Sequence, residues 1–126
     1  MTTATSLVTA SLHGIQAEPV FVETDVSPGL STFTLVGLAD ASIQEARERI
    51  RSALRQSGYD FPKTRITINL APADQRKSGS SFDLPIAVAL LSHQGLFPLS
   101  MLQKSVFVGE LGLDGGIRPV RGALSM

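Results

Sequence analysis

The ten residues Arg76-Lys77-Ser78-Gly79-Ser80-Ser81-Phe82-Asp83-Leu84-Pro85 place two bases, three hydroxyls and a carboxylate directly ahead of an apolar run. A serine hydroxyl becomes a nucleophile only when a neighbouring group takes its proton. Ser78, Ser80 and Ser81 are therefore candidates for acyl-transfer chemistry with Lys77 as an unconventional base. A solvated lysine, however, stays protonated near its ordinary pKa of about 10.4. The competing reading is a turn at Gly79 whose serines and Asp83 cap the following helix by satisfying its free N–H groups. The residues alone favour the turn.

Other chemistries find less support. A phosphate-binding loop of the form GxxxxGK[ST] is absent, because the glycine beside Lys77-Ser78 follows the pair instead of preceding it. His13 and His93 are isolated from carboxylates at ligand spacing, so no metal is expected. Arg47, Arg49, Arg51 and Arg55 cluster within nine residues, which raises contact with phosphates. The interspersed Glu45 and Glu48, and the want of exposed aromatic residues for base stacking, argue instead for a solvated or subunit-facing helix surface.

The elements that must carry these residues follow from periodicity. Alternating, β-branched runs at 7–15, 19–27 and 32–38 predict three strands, expected to be antiparallel neighbours, with Val20, Val22 and Thr24 facing opposite to Phe21, Glu23 and Asp25. The period then lengthens. Asp40 or Ser42 caps a helix, Ser42 with Glu45 matches a capping box, and Gly58 ends it, while Ile43, Ala46, Ile50, Ala53 and Leu54 form its apolar stripe. Glu45 and Arg49 stand at the spacing of a helical ion pair. A fourth strand spans 65–72 with Ile66, Ile68 and Leu70 on one face. Asp83 is expected to cap a second, buried helix with Pro85 in its first turn, closed by Gly95. A fifth strand at 105–113, a turn at Asp114-Gly115-Gly116 and a return strand at 117–122 complete an α+β domain of order β-β-β-α-β-α-β-β.

Composition bounds what such a domain can be. Its 126 residues, 43% hydrophobic and 17% charged, suit one core. Eleven basic and eleven acidic residues cancel, so attraction to nucleic acid or an anionic membrane has to come from a local patch. No cysteine is present, which excludes disulfides and thiolate chemistry. There is no signal-peptide pattern at the start and no apolar run near the ~20 residues that cross a bilayer, so a cytoplasmic protein without a membrane partner is expected.

Three ordered blocks, "FTLVGLADASIQEARERIRSALRQSGYDFP", "RITINLAPADQRKSGSSFDLPIAVALL" and "VFVGELGLDGGIRPVRGAL", closely resemble the N-terminal domain of the magnesium-chelatase-like AAA+ ATPase family of the ComM/YifB type. The resemblance implies a Lon-protease C-terminal-like fold, related to the second domain of ribosomal protein S5. It also implies a longer, homo-hexameric protein whose own AAA+ module uses ATP and Mg2+ to drive DNA branch migration during natural transformation. The chain ends before any ATPase signature and is expected to be one such domain, 1–126, needing no cofactor itself. Within the quoted blocks Gly79, Asp83, Pro85, Gly109, Glu110 and Gly115 read as structural.

Lon proteases pair a loop serine with a lysine. Aligning their pattern on "KSGSSFD" puts Ser81 at the nucleophile position, and aligning it on "RGALSM" puts Leu124, which accepts no proton, where the lysine belongs. The implied role is thus a non-catalytic accessory domain for assembly or DNA engagement. A Ser81 peptidase is one alternative; a DNA-binding module contacting DNA or a sister subunit through Arg47, Arg51, Arg55, Arg76 and Lys77 is another. Insertion of magnesium is disfavoured, since the chelatase likeness belongs to the motor.

Overall fold

The computed structural model describes residues 3–13, 16–74, 77, 79–96 and 105–118. Strands β1 (Thr3–His13) and β2 (Gln16–Ser27) form a long antiparallel pair, in register from Thr3 opposite Val26 to His13 opposite Gln16. Both run beyond the apolar alternation, because a backbone partner satisfies N–H and C=O groups whatever side chains they carry. Strand β3 (Thr32–Val36) is not the neighbour of β2. Strand β4 (Arg65–Ala71) comes between them, antiparallel to β2 and parallel to β3, so the sheet order is β1-β2-β4-β3. The expectation of three antiparallel neighbours fails because the chain leaves β3 into helix before returning, the crossover that a parallel pair requires.

Period two decides which face is buried. Leu7, Val20, Val22, Ile66, Ile68 and Leu70 are fully enclosed, whereas Phe21 and Glu23 face outward and are exposed. The helices cover the inner face. The single helix expected from residue 40 or 42 to 58 is divided into α1 (Ala41–Gln44) and α2 (Ala46–Gln56) at Glu45, where Glu48 N–H donates back only three residues. Asp40 is the cap, its Oδ1 accepting from Ile43 N–H at 3.1 Å. Ser42 Oγ donates to that same carboxylate at 2.7 Å, so the Ser42–Glu45 capping box is not formed. Beyond α2, Gly58 is left-handed, Gly58 N–H donates to Arg55 O, and Tyr59 N–H donates to Leu54 O at 2.8 Å. This is a Schellman closure.

Helix α3 (Asp83–His93) is buried at Asp83 and from Pro85 to Leu90. Asp83 is its first residue and not its cap; Phe82 occupies the cap position without a side-chain bond. The first turn is satisfied by backbone instead. Asp83 N–H donates to Ser80 O, Leu84 N–H to Gly109 O and Ile86 N–H to Phe82 O, and Pro85 has no N–H to place.

The expected fifth strand is reduced to β5 (Glu110–Leu111), paired with β6 (Ile117–Arg118). The preceding residues divide their bonds elsewhere: Val106 bridges Val8, Phe107 N–H donates to Val8 O, and Gly109 meets the loop before α3. A continuous ladder is therefore impossible. Residues 119–122 of the expected return strand lie outside the described residues, as does Ser78. Among the described residues no helix is long and apolar enough to cross a membrane.

Two consequences can be measured. Thr24 is buried on the inner face and its Oγ1 has no hydrogen-bond partner. Thr24→Val is expected to stabilise the domain by about 1 kcal/mol in urea unfolding, because an unsatisfied hydroxyl disappears at nearly constant shape; destabilisation beyond that amount would contradict the burial. His93 closes α3 with Nε2 3.4 Å from Thr5 Oγ1. Burial holds its pKa below the usual imidazole range, against smaller opposing effects of the Thr24 backbone and Asp25. The unfolded chain thus takes up the proton first, and stability falls as pH drops below about 6.5. His93→Gln is expected to flatten that part of the stability profile.

Candidate functional site

The loop that carries the serines closes over the carboxyl ends of β3 and β4. Lys77 bridges to Ala39, its N–H donating to Leu38 O at 2.9 Å and its C=O accepting from Asp40 N–H at 3.0 Å. Its side chain is fully buried, and Nζ donates to Gly37 O at 2.8 Å and to Pro72 O. The expectation of an exposed base fails here. Enclosure lowers the Lys77 pKa, opposed by Asp74, yet neither hydrogen bond of the ammonium is directed to a serine.

Gly37 makes this approach possible. At φ +104° a Cβ there would lie 2.2 Å from Leu70 O, so only glycine lets the two backbones touch. Ser81 stands where the chain enters α3, half-buried, with its C=O accepting from Gly109 N–H at 3.0 Å. Gly79 has φ +93° and its N–H donates to Ser42 Oγ. Leu124 and Arg76 lie outside the described residues.

Asp83, released from capping, points into the domain. Its Oδ2 and Oδ1 accept from Arg49 Nε at 2.6 Å and Arg49 Nη2 at 2.9 Å, and Oδ2 also accepts from Leu111 N–H at 3.1 Å. Arg49 Nη2 donates further to Ser42 O. The carboxylate is wholly buried and the Arg49 side chain only 21% exposed. Desolvation holds the Asp83 carboxyl above the usual carboxylate range, against Arg49 and the Leu111 N–H, while Glu110 adds a weaker upward push. The hydrogen bond to Asp83 in turn raises the Arg49 pKa. This pairing replaces the Glu45–Arg49 helical pair, and no periodicity announces it, since the partners are 34 residues apart.

Gly109 and Gly115 fit the hairpin against the helices. A Cβ on Gly109 would come within 3.1 Å of Leu84, and one on Gly115 within 2.7 Å of Ser57 Oγ. Ser52 Oγ donates to Leu113 O at 2.8 Å, so the β5–β6 hairpin leans on α2.

The other arginines occupy a different face. Arg47, Arg51 and Arg55 line a groove of about 350 Å³ together with Ser31, Tyr59, Asp60 and Lys63. None of the three is in an ion pair among the described residues, and Arg47 Nε is shielded from solvent without an acceptor. The arginines are legible in the sequence and their company is not. Tyr59, 42% exposed, and Lys63 sit in the turn directly after Gly58, where they pass for loop residues. Lys77 is not among these lining residues. Among the described residues no group of three or more His, Cys, Asp or Glu is placed to hold a metal ion.

An α+β domain with this glycine-ordered loop and hairpin matches the family described as subunit ChlI of Mg-chelatase over residues 22–126, and the chain belongs to that family. Within it, the chain is 49% identical over 117 residues to uncharacterized protein YifB of Salmonella typhimurium and 47% identical over 117 residues to YifB of Escherichia coli, covering 93% of this chain in each case. It is 45% identical over 111 residues, 88% of the chain, to competence protein ComM of Haemophilus influenzae. The chain spans 22–23% of the length of these relatives.

The ion pair yields a direct test. Arg49→Leu strands a buried carboxylate and is expected to cost about 3–5 kcal/mol in urea unfolding, whereas Arg49→Leu combined with Asp83→Leu recovers much of that loss. A single substitution costing under 1 kcal/mol would show that the pair does not hold the helices.

Proposed function

We propose that this chain is the non-catalytic N-terminal accessory domain of a magnesium-chelatase-like AAA+ ATPase of the ComM type, with a Lon-protease C-terminal-like fold related to the second domain of ribosomal protein S5. In the whole protein the domain helps a homo-hexameric ring to assemble or to engage DNA, while a separate module consumes ATP with Mg2+ to drive branch migration of recombining DNA during transformation. What supports the family role is the 45% identity to competence protein ComM, together with a chain that spans under a quarter of that protein.

The observation that carries the non-catalytic reading is the state of Lys77. Its side chain is buried and Nζ donates to two backbone carbonyls, Gly37 O and Pro72 O, so the amine is turned to backbone and not to Ser81. Asp83 is likewise committed to Arg49. Lys77 and Asp83 act as internal ties.

The full-length protein, compared with a variant lacking residues 1–126, tests the role. Loss of hexamer by gel filtration, or a drop of tenfold or more in DNA affinity, is the expected outcome; unchanged assembly and affinity would reject an accessory role. A serine-reactive phosphonate that labels the domain at Ser81, and not Ser81→Ala, would reject the non-catalytic reading.

A further inference from the structure

The groove beside α2 is lined by cations that the fold itself does not use. Arg49, on the same helix, is consumed by Asp83 and Ser42. Arg47, Arg51 and Arg55 are not, and four-residue spacing sets their like charges against each other. Repulsion of this kind, with the Nε of Arg47 enclosed and lacking an acceptor, is relieved when an oxyanion enters.

The shape of the array says which oxyanion. Successive arginines on α2 climb by about 6 Å, a linear row that suits a run of anionic groups better than one compact ion. Guanidinium forks match phosphate oxygens in pairs, and Lys63 adds a point charge to the same lining. Tyr59 supplies an exposed aromatic ring in this groove, where a planar base can stack. Asp60, the carboxylate among the groove's lining residues, leaves cations in excess by four to one.

The geometry points to a nucleotide-phosphate site on this domain: Arg47, Arg51, Arg55 and Lys63 take consecutive phosphates and Tyr59 takes a base, whether from a free nucleotide or from a single strand. The site goes beyond the accessory role and does not depend on it, since it is a property of the 126-residue chain alone.

Binding to that chain is measured at low salt with three probes: a short single-stranded oligodeoxynucleotide, ATP without Mg2+, and inorganic tripolyphosphate. At least one of the first two is expected to bind more tightly than tripolyphosphate, and the tighter of them identifies the source as strand or free nucleotide. Arg51→Ala and Arg55→Ala, both at exposed positions, are each expected to weaken binding about tenfold and to lower the slope of log K against log salt by about 1. Tyr59→Leu is expected to bring the preferred probe down to the level of tripolyphosphate, and Arg65→Ala, on β4, to change nothing. The proposal is overturned if tripolyphosphate binds as tightly as both nucleotide probes, if the two arginine variants bind normally, or if a polyglutamate peptide competes as well as the preferred probe. Binding that maps to the groove, together with unchanged assembly and unchanged DNA affinity of the full-length protein when residues 1–126 are deleted, would retain this site and remove the accessory role.

Discussion

The buried bond between Arg49 and Asp83 is the constraint on which the rest of the domain depends. It joins α2 to the first residue of α3, and through Leu111 N–H it holds β5 against both. A carboxylate without solvent is costly unless donors take the place of water. Here a two-pronged guanidinium and a backbone amide supply them, and the relative placement of three elements follows from one side chain's requirements.

The same economy explains why the loop between β4 and α3 looks reactive in sequence and acts structurally in space. Lys77 holds together the segments containing Gly37 and Pro72, and Gly109 carries the carbonyl that completes the first turn of α3. Lys77 answers two backbone carbonyls, and Asp83 answers a guanidinium and a backbone N–H. The loop's composition advertised a catalytic constellation; its contacts form a clasp.

What could be read from the sequence was what short-range periodicity encodes. Alternation at Val20, Val22 and Thr24 and at Ile66, Ile68 and Leu70 identified the buried sheet face, and the stripe from Ile43 to Leu54 identified the helix face that meets it. Gly58 marked the end of α2 because a left-handed residue was needed there. Long-range choices were hidden. Nothing local distinguishes β3 as a parallel neighbour of β4, shows that Arg49 prefers Asp83 to Glu45, or separates an enclosed lysine from a solvated one. At the groove, one helix face was legible as a cationic row, while Tyr59 and Lys63 entered only through the fold of the following turn.

The parallel pairing of β3 with β4 also orders events in time. β1 and β2 meet across a two-residue connection, from His13 to Gln16, so their pairing closes a minimal loop. Thr32 meets Arg65 across the intervening helices, and closing that longer loop costs more entropy. The hairpin can therefore assemble as an early, locally encoded template, whereas β3, an outer strand of the four-stranded sheet, joins it only through β4, whose own pairing with β2 closes a longer loop still.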